Sequence, residues 1–187
     1  NLVLGSGSDI GNKIAVHPEI AAISFTGSVQ TGKQLYKDAS STMKKMQMEM
    51  GSKNPLIVMD DADLKTAITC AVSGAYGGTG QKCTASSRLI VHENIYRKFI
   101  DGLLENTKNL KVGHALDEGT QMGPVSSQSQ FESNLKYVDI GKGEAKLAFG
   151  GSPMNMRTPG YYMEPTLFID GDNKSRINQE EMFGPIA

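Results

Sequence analysis

From Lys45 to Met50 the chain alternates without a break, with Met46, Met48 and Met50 on one side of an extended segment and Lys45, Gln47 and Glu49 on the other. Successive side chains of a strand point to opposite faces, so "KKMQMEM" predicts a half-buried strand. Upstream, "IAAISF" also predicts a strand. Downstream, "PLIVMD" is apolar and continuous, the pattern of a strand covered on both faces. "NLVL" at the start, "RLIVHE", "AKLAFGG" and "GYYMEPTLFID" complete the predicted strands. Between them the period changes. Leu64, Ala67, Ile68 and Ala71 recur at helical spacing from Asp61 to about Gly74. A helix opens at Asn94 with Ile95, Phe99 and Leu103 on one face, and residues 126–140 also read as helical. "GSGSDIGNKIAV" and "TGSVQTGKQLYKDASS" each read as a glycine turn entering a helix, with Ser28 as the N-cap of the second. Strands alternating with helices predict an α/β fold with a mostly parallel open sheet and flanking helices. The expected boundary follows residue 48. Segment 1–48 carries the βα units with glycine turns, and segment 49–187 opens on Glu49 and holds Cys83.

Composition narrows the classes. The 187 residues are 39% hydrophobic and 21% charged with net charge −1, which is ordinary for a globular protein and offers no basic field for nucleic acid or a membrane surface. No apolar run approaches a membrane span, and nothing resembles a signal peptide. Two cysteines, Cys70 and Cys83, form no disulfide framework and no CxxC pattern. Three scattered histidines, His17, His92 and His114, give no zinc or haem site. A reduced, cytoplasmic setting is the expectation. The chain opens directly into an apolar run and stops at "MFGPIA", so an internal piece of a longer protein is expected.

Five features invite chemistry, each beside a plainer reading. "GSGSDIG" has the spacing GxGxxxG instead of GxGxxG, and reads as a phosphate loop or as a turn that needs glycines for backbone freedom. "FTGSVQTG" ends a strand and opens a helix whose free N–H groups can hold a phosphate, and Ser28 serves as phosphate donor or simply as cap. Glu49 is a candidate base at a strand end if burial raises its pKa, or a solvated glutamate. Cys70, among Ala67, Ala71 and Val72, reads as a small core residue. Cys83 lies in "YGGTGQKCTASSR", with glycines before it and Lys82 and Arg88 nearby. In a tight turn its neighbouring N–H groups favour the thiolate and offer an oxyanion donor, and local chemistry leaves nucleophile and turn cysteine both open. A Cys–His pair is not supported, because no histidine is suitably placed.

Four motifs in order then change the weighting: "FTGSVQTG" (25–32), "EMGSKNP" (49–55), "GQKCTASSR" (80–88) and "EEMFGP" (180–185). Together they make the chain resemble the aldehyde dehydrogenase superfamily over its whole length. The resemblance implies the end of a Rossmann-like cofactor domain in 1–48 and the thiol-bearing catalytic domain in 49–187. It implies that Cys83 attacks the aldehyde, that hydride passes to NAD or NADP to leave a thioester, and that Glu49 activates the water that releases the acid. An asparagine completing the oxyanion site would lie upstream of this chain. Gly27 and Ser28 match the position that touches the cofactor pyrophosphate, Gly7 the wall of the adenine pocket, Glu181 the residue on the nicotinamide ribose, and Phe183 its neighbour beside the ring. A small-molecule aldehyde substrate, a homo-oligomer and no metal are implied as well.

Within the family, "STMKK", "EMGSKNPLIVMDDADLKTA" and "KVGHALDEGTQMGPVSSQSQ" look most like the 2-oxoglutarate semialdehyde (2,5-dioxopentanoate) dehydrogenases. The glutamate favours the acid-forming branch over the CoA-acylating one. Two residues depart from the family's usual pattern: Met50 replaces a leucine and Ser52 a second glycine. Two other readings compete: a fragment or relative that keeps the fold without turnover, and a thiol esterase that works without nicotinamide. The isolated 187-residue chain is expected to be inactive.

Overall fold

Ser6 begins the regular structure by accepting a hydrogen bond from the Asp9 N–H at 3.2 Å, which caps a single π-helical turn at Gly7–Gly11. That turn runs into α1 (Asn12–Val16). The computed structural model describes every residue from Asn1 to Ala187 and divides into two units, Asn1–Gly51 and Ser52–Ala187. No helix is long and apolar enough to cross a membrane.

In the first unit β1 (Ala22–Gly27) and β2 (Lys45–Met50) pair in parallel, with Thr26 opposite Glu49 and Gly27 opposite Met50. Parallel neighbours need a crossover. Here it is α2 (Val29–Ser40), capped by Ser28, whose hydroxyl accepts from the Thr31 N–H at 3.2 Å. A Cβ on Gly32 would lie 2.5 Å from Met50 Sδ and 3.0 Å from Met48 Cε, so this glycine lets α2 settle onto the methionine face of β2. The alternation seen in the sequence therefore has its expected meaning. Lys44 Nζ donates to the carbonyls of His17 and Ile20, each at 2.6 Å, and ties the entry of β2 to the end of α1. The predicted strand at residues 1–4 does not form. Leu2 and Leu4 are more than 80% exposed, because a strand needs a neighbour to take its hydrogen bonds and none pairs with these residues.

In the second unit β3 (Pro55–Val58) and β4 (Arg88–Val91) also pair in parallel, in the register Leu56↔Leu89 and Val58↔Val91. Their crossover includes α3 (Leu64–Tyr76), capped by Asp63, and α4 (Tyr96–Lys108) packs against it. Gly102 of α4 faces Ile68 of α3 so closely that a Cβ would lie 2.5 Å from its Cδ1. Phe99 and Leu103 are fully buried with Val58, Ala71 and Leu167. α5 (Gln128–Glu144) leads into β5 (Lys146–Phe149), which pairs antiparallel with β6 (Leu167–Ile169). A second core gathers Val125, Val138, Met163, Phe168, Ile177, Met182 and Ile186 under α5. A short α6 (Arg176–Gln179), which the sequence pattern does not signal, precedes the last loop.

The α/β class with mostly parallel pairing stands, and three details are corrected. "PLIVMD" is not covered on both faces: Ile57 is 63% exposed and its register partner Ile90 44%. The strand within "GYYMEPTLFID" shrinks to Leu167–Ile169, its first half making only isolated bridges at Tyr161, Met163 and Thr166. Cys70 is exposed, because it falls on the outer side of α3 while Ala71 and Ala75 take the core side.

Candidate active site

α3 stops at Tyr76, and Gly77–Gly80 makes a 3₁₀ turn in which Gly78, Thr79 and Gly80 all have φ between 62° and 65°. That region suits glycine and strains a β-branched residue. Thr79 is held there by burial and by its hydroxyl, which donates to the Gly123 carbonyl at 3.2 Å. Gln81 braces the next position, its side-chain oxygen accepting from the Ser126 N–H at 3.1 Å. The chain then turns again, with the Ala85 N–H donating to the Lys82 carbonyl at 3.0 Å. Cys83 and Thr84 occupy the corner, and Cys83 is exposed. No carbonyl or side chain within the chain accepts from the Cys83 or Thr84 N–H. A thiol on a braced corner beside free N–H groups is the setting a nucleophile uses, since those groups stabilise negative charge on sulfur or on a neighbouring oxyanion.

Asn54 grips the same corner from the strand side. Its amide donates to the Cys83 carbonyl at 2.6 Å and the Ala85 carbonyl at 3.2 Å, and its oxygen accepts from the Ser52 hydroxyl at 2.7 Å. Ser52 therefore has a partner in the tight turn that follows β2. Lys53, between them, is largely buried and its ammonium has no hydrogen-bond acceptor. Burial first, then the positive charge of Arg88, lowers its pKa to about 7, while Glu181 pulls in the opposite direction. Arg88 itself, expected as positive charge beside the thiol, directs Nη1 to Asn173 Oδ1 at 3.2 Å and to the Asn178 carbonyl at 3.5 Å.

The loop of "EEMFGP" meets the cysteine loop through glycine. A Cβ on Gly80 would collide with the Gly184 carbonyl. On its other side Gly184 packs against the Asn134 side-chain amide of α5. Gln130 of α5 donates to the Met182 carbonyl and to Asn134 Oδ1, both at 2.9 Å, so α5 carries this loop on two polar side chains. Phe183 has φ 52° and is 38% exposed, while its neighbours Met182 and Gly184 are buried. The two glutamates differ in employment. Glu180 pairs with Arg176 at 2.9 Å and accepts from the Tyr137 hydroxyl at 2.8 Å. Those hydrogen bonds, Arg176 foremost, hold its carboxyl below the usual range. Burial, aided by Glu180, pushes the Tyr137 hydroxyl up. Glu181 stays clear of that cluster and lies within electrostatic reach of Lys53.

The remaining candidates sit in the first unit. Glu49 lies on the exposed Lys45–Gln47 face of β2. A Cβ on Gly27 would lie 2.5 Å from the tip of the Phe25 ring, so a side chain there would push that ring aside. Ser28 spends its hydroxyl on the cap, and the first N–H groups of the twelve-residue α2 remain open at an exposed end. A pyrophosphate fits that end. Gly7 opens the π-helical turn with nothing within 4 Å of an added Cβ. Cys83, Glu181 and Phe183 thus share the second unit, and Gly7, Gly27, Ser28 and Glu49 the first. Sequence reasoning overlooked Lys53, Asn54, Gln130 and Asn134. The first two lie inside a recognised motif, whereas nothing in the polar pattern of α5 marks Gln130 or Asn134.

The sequence model of the "Aldehyde dehydrogenase family" matches residues 1–187. The chain is 44% identical to the alpha-ketoglutaric semialdehyde dehydrogenase of Bacillus subtilis and 43% identical to the 2,5-dioxopentanoate dehydrogenase of Saccharolobus solfataricus. Each match covers all of this chain and 39% of the relative. The structure superposes on a betaine aldehyde dehydrogenase of Staphylococcus aureus crystallised with NAD+, with a TM-score of 0.97 and 39% identity over 100% of this chain and 38% of the other. The chain thus spans about two-fifths of the length of these proteins.

Proposed function

Because the chain belongs to the aldehyde dehydrogenase family, we propose that the full-length protein oxidises an aldehyde to its carboxylic acid with NAD or NADP, and that Cys83 is the nucleophile. The observation that carries this reading is the exposed Cys83 on a turn braced by Asn54 and Gln81, inside a chain the family matches from end to end.

In this reading the Cys83 thiolate attacks the aldehyde carbon to form a thiohemiacetal, and the unclaimed N–H groups of the corner receive the developing oxyanion. The dinucleotide, when bound, supplies the acceptor for the hydride. Gly27 and Ser28 at the open end of α2 would hold its pyrophosphate, Gly7 would line its adenine site, and Glu181 and Phe183 would hold its nicotinamide half. Loss of hydride leaves a thioester on Cys83. Glu49 removes a proton from the water that attacks this thioester, releasing the acid and restoring the thiol. In this reading residues 1–48 end the cofactor-binding domain, and residues 49–187, which carry Glu49 and Cys83, belong to the catalytic domain. For substrate we favour 2-oxoglutarate semialdehyde, a choice supported by the names of the relatives at 44% and 43% identity.

The test is Cys83→Ala in the full-length protein, assayed with 2-oxoglutarate semialdehyde and betaine aldehyde and both dinucleotides. The reading expects no turnover from the variant and a higher kcat/KM for the semialdehyde in the parent. Turnover retained by Cys83→Ala overturns the assignment of nucleophile. Ester hydrolysis by the parent without dinucleotide, in the absence of any aldehyde oxidation, would favour a thiol hydrolase.

A further inference from the structure

The loop around Cys83 faces a mechanical problem. Its glycines and the positive φ values at 78–80 let the backbone take a shape that few residues tolerate, and the same freedom leaves the corner at 82–85 with only one internal backbone bond, from the Ala85 N–H to the Lys82 carbonyl. Something outside the loop must hold it. The Asn54 amide spans the corner, one N–H aimed at the Cys83 carbonyl (2.6 Å) and the other end of the turn reached at the Ala85 carbonyl (3.2 Å). This requires the nitrogen of the amide, not its oxygen, to face the loop. The two carbonyls only accept and so select that orientation, and the Ser52 hydroxyl, donating to Asn54 Oδ1 at 2.7 Å, pins the opposite edge of the amide.

We propose that Ser52 and Asn54 form a positioning pair that fixes the Cys83 corner for attack, Asn54 directly and Ser52 through Asn54. This rests on the reading of Cys83 as nucleophile. The serine that departs from the family's usual glycine becomes a local anchor that restrains the amide against the loop. A donor on the Cys83 carbonyl also polarises the Cys83–Thr84 peptide and strengthens the Thr84 N–H as a donor at the oxyanion side. Neither residue touches substrate in this role. Its effect belongs in kcat, since a reacting group displaced by about 1 Å loses on the order of a hundredfold in rate without weakening ground-state binding.

The experiment uses the full-length protein and the variants Ser52→Gly, Asn54→Ala and the double variant. It reads kcat and KM with 2-oxoglutarate semialdehyde, and the alkylation rates of Cys83 and Cys70 by iodoacetamide, resolved by peptide mass spectrometry. Asn54→Ala is expected to lower kcat by about tenfold or more with KM little changed. Ser52→Gly is expected to lower it by a smaller factor, and to add nothing in the Asn54→Ala background, since its only route is through the amide. Cys83 alkylation should change in step while Cys70 stays constant as the internal reference. A kcat within twofold of the parent in Asn54→Ala, or a full Ser52→Gly effect in the double variant, overturns the proposal. If Asn54→Ala fails to fold, Ser52→Gly decides alone, because Ser52 is exposed and its loss leaves the core intact. An unchanged kcat and Cys83 alkylation rate there overturns the pair. Activity in Cys83→Ala would instead remove the reading beneath it, a result these variants cannot mimic.

Discussion

Gly80 lies against the carbonyl of Gly184 with no room for a side chain between them. Two loops 104 positions apart, one carrying Cys83 and the other Phe183, are thereby held together through backbone alone. Glycine is required here for two independent reasons, the close approach and a φ of 65°.

Gly80→Ala should therefore cost about 2 kcal/mol or more, the sum of left-handed strain and a clash with backbone that cannot swing aside. Gly78 shares the same φ region but faces only the flexible Lys82 side chain. Gly78→Asn should cost less than about 1 kcal/mol, because asparagine tolerates that conformation. Denaturant unfolding of both variants checks the contrast. Equal losses would mean that the Gly184 contact contributes nothing.

Lys53 predicts a pH dependence of stability. Its folded pKa is about 7 against 10.5 for the free side chain. Between those values the unfolded chain binds a proton that the folded chain releases, so stability from this group rises with pH across that window. Below it the folded protein must hold a buried ammonium facing Arg88. Lys53→Met should flatten the rise in unfolding midpoint between pH 7 and 9, and should gain most at the acid end. Parallel curves for parent and variant would contradict the burial of a strained charge.

Cys70 and Cys83 are both exposed in this chain. Titration of the 187-residue chain with a disulfide reagent should therefore count two thiols before denaturant is added. A single thiol would restore the core placement that the alanine-rich neighbourhood of Cys70 suggests.

What the sequence disclosed and what it hid follow from the range of the forces involved. The alternation of Met46, Met48 and Met50 is local and period-two, so β2 and its inward face were readable. Ser28 and its cap were readable for the same reason: donor and acceptor lie three residues apart. "NLVL" and "PLIVMD" misled because apolar composition does not reveal whether a neighbour exists to cover or pair with the strand. Cys70 misled by a single step of helical phase, since Ala71 is buried and Cys70 is not. The polar anchors were the least legible. Asn54 reaches Cys83 across 29 positions and Gln130 reaches Met182 across 52, and one hydrogen bond between distant loops leaves no periodic trace. The motifs brought Cys83, Glu49 and the cofactor candidates into view, and the geometry added the residues that hold the cysteine loop in place.

The most direct measurement of the central claim is the capture of the acyl-enzyme. Full-length Glu49→Gln protein would be mixed with 2-oxoglutarate semialdehyde and NAD+, quenched in acid after one burst of reduced dinucleotide, and digested for mass spectrometry. With Cys83 as nucleophile and Glu49 as base, the expected result is a burst matching the enzyme concentration and an acyl group on the peptide that contains Cys83, with Cys70 unmodified. A burst with Cys83 unacylated, or an acyl group found only elsewhere, would contradict it.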